Sequence, residues 1–210
     1  MVAERRKLLI ATRNKGKVRE YEELVASLAV RITYLSAEGI DFEVSETGST
    51  FADNAMQKAQ RYARASGLLT LADDSGLEVD ALGGEPGVFS ARYAGPGASD
   101  EQRYRLLLER MKGVLWEDRS ARFRCVIAVA KPDGETYTAE GVCEGVIALA
   151  PEGEHGFGYD PVFYLPEHGQ TMAQLAPEVK NRISHRARAA RGIKPILARV
   201  LRRDHVSGAS

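Results

Sequence analysis

The segment LADDSG, residues 71–76, constrains the fold strongly, because two adjacent aspartates follow an apolar run that is typical of a β-strand. Burying one carboxylate is costly unless a cation pairs with it, and a second adjacent carboxylate compounds the cost. If the strand continues this far, Asp73 and Asp74 point to opposite faces, because side chains alternate along a strand. DDSG is equally good turn chemistry, since Asp and Ser cap nearby backbone N–H groups. The segment therefore predicts either a turn or a ligand site at a strand end.

Hydrophobic periodicity predicts that strands and helices alternate in the first half of the chain. Thr50 and Asp53 form a capping-box pattern before one helix, and Gly67 ends that helix. Two later runs flank the turn sequence PDG and predict an antiparallel hairpin. The chain end is expected to be helical, with Pro195 in a first turn or at a kink. Together these elements predict an α/β fold with a mixed sheet. The main predicted strands and helices, in chain order, are residues 7–12, 18–29, 30–35, 51–66, 68–74, 100–111, 121–130 and 136–149.

Length and composition limit the class of protein. The 210 residues are expected to form a single domain of two lobes, without a separate linker. Lys and Arg total 29, as do Asp and Glu, so no net charge points to a nucleic-acid or membrane partner. Cys125 and Cys143 lack metal-ligand spacing; two buried thiols are the main interpretation and a disulfide is the alternative. No apolar run is long enough for a signal segment or a membrane span, so we expect a cytoplasmic protein.

Two segments in the first third of the chain suggest phosphate and metal binding, and each has a simpler explanation. ATRNKGK, residues 11–17, places Lys15 and Lys17 at a helix start, where N–H groups attract phosphate; the alternative is a solvated turn. The helix from residue 51 carries Asn54 and Lys58 on one face, and Glu46 lies on the loop before it. These residue types suit a metal and phosphate site, and they also suit an ordinary amphipathic helix.

Two later segments suggest recognition of a planar base and an anion. GFGYDP, residues 156–161, offers Phe157 and Tyr159 as exposed stacking rings and Asp160 as an acceptor for base N–H groups; the alternative is a loop whose rings cover the core. KNRISHR, residues 180–186, could bind an anion or be a solvated basic helix end. Together with the aspartates of LADDSG, the four segments supply the components of a nucleoside triphosphate site.

Five sequence blocks resemble, in order, the motifs of the inosine triphosphate pyrophosphatase family: ATRNKGK, ETGSTFADNAMQKA, LADDSGLEVDALGGEPGVFSARYAG, GFGYDPVFY and KNRISHRARA. The resemblance covers residues 7–201. It implies an elongated, two-lobed α/β fold with a central mixed sheet flanked by helices, a substrate cleft between the lobes, and a homodimer. It also implies Mg2+-dependent hydrolysis of ITP, dITP and XTP to the monophosphate and pyrophosphate.

The resemblance also implies roles for individual residues. Glu46 and Asp74 would bind the metal, and Asp74 would also accept a proton from the attacking water. Asp73 would order the loop or hold the residues that bind the metal and substrate, without contacting either itself. Arg13, and Gln174 where the family usually has Glu, depart from the family pattern. The positions implied to contact substrate are Thr12, Arg13, Asn14, Lys15, Gly16, Lys17, Lys58, Ser75, Phe157, Gly158, Tyr159, Asp160, Lys180, His185 and Arg186.

The expected mechanism is in-line attack of water on the α-phosphorus, with Mg2+ on Glu46 and Asp74 neutralising charge on the departing pyrophosphate. Lys17 and Lys58 would stabilise the same charge. A donor such as Lys180, Arg186 or a backbone N–H near His185 would favour the 6-oxo group of hypoxanthine and xanthine over the amine of adenine. The alternatives are a related pyrophosphatase for modified pyrimidines or dTTP/UTP, and a non-catalytic nucleotide sensor.

Overall fold

The computed structural model describes residues 6–206, and within them the predicted α/β fold with a mixed sheet is confirmed. Seven strands form one sheet in the order β2-β1-β3-β4-β5-β6-β7 in this described part of the chain. The strands are β1 (Arg6–Ile10), β2 (Val30–Tyr34), β3 (Leu69–Val79), β4 (Ser120–Ala130), β5 (Thr136–Ile147), β6 (Phe163–Leu165) and β7 (Gln170–Thr171). The α-helices are α1 (Lys15–Val25), α2 (Phe51–Ser66), α3 (Asp100–Arg110), α4 (Pro177–Ile183) and α5 (His185–Val206).

The first three strands form the parallel part of the sheet. β1 pairs in parallel with β2, where Leu8 is opposite Ile32, and with β3, where Ile10 is opposite Leu71. Leu8 and Ile10 are both fully buried. A continuous apolar run suits β1, because a central parallel strand is covered on both faces.

β4 and β5 form the predicted hairpin, and β6 and β7 extend the sheet in antiparallel fashion. The N–H of Lys131 donates to the carbonyl of Glu135 at 2.9 Å and closes the hairpin turn. Buried and partly exposed residues alternate only at the start of β4, and every residue from Cys125 to Ala130 is buried. Cys125 and Cys143 are both buried and form no disulfide, so the alternative of a disulfide is wrong.

Local capping signals set the helix ends. α2 begins where predicted, because Thr50 Oγ1 accepts the N–H of Asp53, and it ends at Gly67 in the left-handed conformation. α1 begins at Lys15, earlier than predicted, since the Asn14 side chain caps it. Pro195 lies inside α5. None of the described helices combines the length and the hydropathy needed to span a bilayer.

The chain divides into two compact units. Among the described residues, unit 1 contains residues 6–74, 126–141 and 189–206. Unit 2 contains residues 75–125 and 142–188. The core of unit 2 includes Phe123 and Phe163, whose ring centroids are 4.4 Å apart. The elongated shape, the cleft and the single-domain organisation stay predictions.

Candidate active site

β3 carries both aspartates of LADDSG into the protein interior. The strand runs on to Val79, so the predicted turn at DDSG is wrong. Asp73 and Asp74 are only 2% and 5% exposed, which places both carboxylates among the buried groups. A strand tolerates this burial because each carboxylate has its own cationic or amide partners. Asp73 pairs with Lys17, whereas Asp74 contacts Asn54 and Lys58. These different partners are what strand alternation predicts.

Lys17 reaches Asp73 from the start of α1. Its Nζ lies 2.8 Å from Asp73 Oδ2, and the Asp73 side chain is almost completely buried. Asn14 caps the helix: its Oδ1 accepts the N–H groups of Gly16 and Lys17 at 2.9 and 3.1 Å. Thr12 Oγ1 accepts the N–H of Asn14 at 3.2 Å. The cap thus fixes the turn and directs the Lys17 ammonium toward β3.

The two residues that depart from the family pattern have structural roles of their own. The Arg13 guanidinium donates to the carbonyls of residues 40–42, most closely to Asp41 at 2.7 Å, whereas Lys15 beside it is exposed. Gln174 Oε1 accepts the N–H of Thr171 at 2.7 Å and completes a capping box. Glutamine therefore keeps the capping function that a glutamate would have at this position.

Three residues of unit 1 form the candidate catalytic cluster together with Asp74: Glu46, Asn54 and Lys58. Asn54 and Lys58 lie one turn apart on α2, as predicted, and both face β3. Asn54 Nδ2 donates to Asp74 Oδ2 at 2.9 Å. Lys58 Nζ lies 2.6 Å from Glu46 Oε1 and 4.0 Å from Asp74 Oδ1. One ammonium group thus brings two carboxylates from distant parts of the sequence together.

The electrostatics of this cluster are not those of a surface ion pair. Burial alone lowers the pKa of Lys58, but Asp73, Glu46 and Asp74 together raise it above its ordinary value. The pKa of Asp74 is raised, first by burial and also by the Glu46 carboxylate, and the Lys58 charge only partly offsets this rise. Lys58 therefore stays an ammonium ion, while Asp74 is a stronger base than an exposed aspartate.

The donor chemistry of Glu46 and Asp74 fits a divalent metal. Carboxylate oxygens are the ligands that Mg2+ prefers, and one or two of them with substrate phosphates and waters complete its usual site. Lys58 already shows that a positive charge is stable between these two side chains. Among the described residues no group of three or more His, Cys, Asp or Glu could hold a metal without further ligands. Two carboxylates would leave the other coordination positions of such a metal to phosphate and water.

A second cluster, in unit 2, is built around the segment GFGYDP. Asp160 and Lys180 are 2% and 5% exposed, and their Oδ2 and Nζ atoms lie 2.6 Å apart. The N–H of Phe157 also donates to Asp160 Oδ2, at 2.9 Å. A Cβ at Gly156, which has φ +79°, would collide with the Asp160 carboxylate, so glycine is required there. The ring of Phe157 lies under Lys180 Nζ, 4.7 Å from its centroid.

The basic segment 180–186 contributes two more side chains to this cluster. Arg186 donates to Ser75 Oγ at 3.1 Å, and its guanidinium carbon lies 5.2 Å from the Phe157 ring centroid. His185 stacks on Phe123, with centroids 4.7 Å apart. His185 and Arg186 are each only 3% exposed. The alternative of a solvated basic helix end is therefore wrong for these residues.

The structure corrects one prediction for the segment GFGYDP, residues 156–161. Tyr159 is not an exposed stacking ring: it is 4% exposed, and its hydroxyl donates to the carbonyl of Ser90 at 2.8 Å. Tyr159 therefore packs into the core, and Phe157 is the half-buried ring of the pair. The N–H of the intervening Gly158 donates to Asp100 Oδ2 at 2.7 Å.

Two residues that contact the clusters were given no individual role from the sequence. The sequence did point to Asn54, because it lies on the same face of α2 as Lys58. Nothing in the neighbouring sequence identified Asp74 as its partner. The sequence did not point to Asp100, because an aspartate in the first helical turn is explained by the helix dipole alone. Its bond to Gly158 depends on a fold contact far along the chain.

Comparison with known proteins identifies the family. The model of the Ham1 family matches residues 8–196. The chain is 54% identical to the dITP/XTP pyrophosphatase of Geobacillus kaustophilus over 188 residues, which are 88% of this chain and 90% of that protein. It is 52% identical to the dITP/XTP pyrophosphatase of Thermus thermophilus over 190 residues, 89% of each protein.

Solved structures agree with the sequence comparison. A HAM1 protein from Coxiella burnetii superposes with a TM-score of 0.85 at 42% identity, covering 92% of this chain and 99% of that one. The Ham1 protein of Staphylococcus aureus gives a TM-score of 0.82 at 44% identity, covering 91% and 98%. Family model, relatives and fold agree over nearly the whole length, which confirms the resemblance found in the sequence. The chain belongs to the Ham1 family.

Proposed function

We propose that this protein is a Mg2+-dependent pyrophosphatase that hydrolyses ITP, dITP and XTP to the monophosphate and pyrophosphate. The observation that carries the proposal is the buried cluster in which Lys58 contacts both Glu46 and Asp74. A chain that only senses nucleotides has no need of a buried carboxylate with a raised pKa beside a second carboxylate. The relatives named dITP/XTP pyrophosphatase support the substrate class.

Asp74 acts as the proton acceptor. Burial raises the pKa of its carboxyl group, so it takes a proton from water more readily than an exposed aspartate does. Asn54 holds Oδ2 by a hydrogen bond, and Lys58 lies near Oδ1. The water then attacks the α-phosphorus in line with the departing pyrophosphate.

Lys17 and Lys58 supply fixed positive charge for the phosphates. Both ammonium groups are mostly buried and are oriented by carboxylates, so they need little reorganisation when charge develops on pyrophosphate. Glu46 and Asp74 would hold the metal, in keeping with the donor chemistry described above. When bound, a divalent cation neutralises phosphate charge and acidifies water.

The unit 2 cluster has the chemistry to bind the base. The 6-oxo edge of hypoxanthine or xanthine presents an acceptor beside an N–H donor, and Lys180 and Asp160 offer the complementary donor and acceptor. Adenine presents the opposite pattern, which leaves buried polar groups mispaired. Phe157, backed by Lys180 and Arg186, supplies an aromatic face for the purine, and Ser75, held by Arg186, contacts substrate.

We also propose that the protein acts as a homodimer in the cytoplasm. The family resemblance supports the dimer. Two buried thiols that form no disulfide are typical of a reducing compartment. The formal net charge of zero supports the absence of a nucleic-acid partner.

Release of pyrophosphate from a panel of triphosphates tests the function. With Mg2+ we expect kcat/KM for ITP and XTP to exceed that for ATP by about 10³-fold or more, and we expect no release with EDTA. A preference for dTTP or UTP would support the pyrimidine alternative. Binding of ITP without any pyrophosphate release would support the sensor and contradict the proposal.

A further inference from the structure

Asn54 is a fully buried amide whose two ends serve different parts of unit 1. Its exposure is 0%, in the first turns of α2. Its Oδ1 accepts the N–H of Gly48 at 2.8 Å, and its Nδ2 donates to Asp74 Oδ2 at 2.9 Å. A buried amide with both ends hydrogen-bonded is held in one orientation.

The chemistry of its two partners fixes which end of the Asn54 amide faces each of them. A backbone N–H can only donate, so the amide oxygen must face Gly48, and the amide NH2 must then face Asp74. A carboxylate accepts and cannot donate when ionised, which matches that NH2 group. The bond fixes Asp74 Oδ2, so the two carboxylate oxygens are not equivalent: Oδ1 is the one that lies 4.0 Å from Lys58 Nζ.

The amide oxygen of Asn54 binds the loop that carries Glu46, at Gly48. Gly48 is two residues after Glu46, and a Cβ at Gly48 would lie 2.8 Å from Asn54 Oδ1 and 2.6 Å from Asp53 Cβ. The loop therefore approaches the start of α2 so closely that only glycine fits. A single side chain thus ties the Glu46 loop to Asp74.

We propose that Asn54 is a positioning residue that sets the orientation of the Asp74 carboxylate and the separation of Asp74 from Glu46. This inference rests on the proposed function, because it assumes that Asp74 accepts the proton. Asn54 touches neither substrate nor metal in this account; it acts through Asp74 and the loop. Groups that orient catalytic carboxylates typically contribute 10- to 100-fold to activity, roughly the effect expected here.

The test compares Asn54→Leu, which removes both hydrogen bonds at similar volume, with Asn54→Asp, which keeps the acceptor but loses the donor. We expect both to lower kcat for ITP about 10- to 100-fold while KM changes little. Gln60→Leu is the matched control. It removes an amide from the same helix, one that bonds Thr136 at 3.0 Å outside the cluster, and should leave kcat unchanged.

A double-variant cycle separates positioning from general destabilisation. In the Asp74→Asn background, Asn54→Leu should cause a much smaller further loss of the residual rate than in the wild-type background, because the part of its effect that passes through Asp74 is already gone. An equal fold-loss in both backgrounds, or wild-type kcat in Asn54→Leu, would overturn the inference. If the Asn54 variants do not fold by circular dichroism, Gly48→Ala decides: a lowered kcat supports the inference, and unchanged kcat overturns it. A wild-type protein inactive on ITP would instead contradict the proposed function.

Discussion

Asp73 and Asp74 are adjacent and identical in chemistry, yet the strand gives them different environments. Asp73 faces the start of α1 and pairs with Lys17, whereas Asp74 faces α2 and meets Asn54 and Lys58. Because a strand turns each successive side chain to the other face, one residue of spacing decides between two partners. The two side chains therefore point to opposite faces and do not form a proton-sharing dyad.

Asp74→Asn tests whether the Asp74 carboxylate is the proton acceptor. The amide cannot accept a proton from water, so we expect kcat for ITP to fall about 10²-fold or more. Asp80→Asn is the control, since Asp80 contacts Ser120 and Arg122 instead of the cluster. Near-wild-type turnover in Asp74→Asn would remove Asp74 from the role of base.

The pH dependence of stability gives a second test of Asp74. Its folded-state pKa is raised, chiefly by burial, so the stability it contributes is complete below the ordinary pKa of about 3.9 and is lost as pH rises through the raised value. Asn cannot ionise. The Tm of Asp74→Asn minus that of wild type, in EDTA, should therefore increase with pH above about 4.

Asp80 provides a control of opposite sign. The Ser120 hydroxyl and then Arg122 lower the pKa of Asp80, so its contribution is present above the ordinary pKa and lost as pH falls. The Tm of Asp80→Asn minus that of wild type should therefore decrease as pH rises toward about 4 and stay level above it, where the Asp74→Asn difference increases. A Tm difference for Asp74→Asn that does not change with pH would show that burial does not raise the Asp74 pKa.

At the level of elements, helix ends set by local capping residues could be predicted from the sequence. The burial of charged residues beside distant partners could not. The ends of α2 followed from Thr50 and Gly67, because a cap involves only neighbouring residues. The continuation of β3 through Asp73 and Asp74 did not, because the cations that make it possible come from α1 and α2. The same reason hid Asp100, whose bond to Gly158 depends on the tertiary fold.

Asp100→Ala tests how α3 supports the segment around Phe157 that we propose binds the base. Losing the acceptor for the Gly158 N–H frees the backbone beside Phe157, so we expect KM for ITP to rise several-fold, on the scale of one hydrogen bond of about 1 kcal/mol, with kcat less affected. Asp133→Ala removes a similar bond, to the Glu135 N–H in the hairpin turn, and should leave KM unchanged. Equal KM values for the two variants would show that Asp100 does not position the segment.

At the level of the whole molecule, both thiols report on the folded core. Cys125 and Cys143 are 0% and 2% exposed, and burial raises the pKa of Cys143 to about 11. The thiolate is the reactive form, so neither cysteine should react readily with Ellman's reagent at neutral pH. Two thiols should titrate after denaturation. Rapid reaction of a thiol in the native protein would contradict the packing of β4 and β5.

The central claim is that water attacks the α-phosphorus of a deaminated purine triphosphate and that pyrophosphate leaves. Hydrolysis of ITP in water enriched in oxygen-18, followed by mass spectrometry of both products, tests this most directly. The account predicts that one labelled oxygen enters IMP and that the pyrophosphate is unlabelled. Labelled pyrophosphate, or IDP with inorganic phosphate, would contradict it.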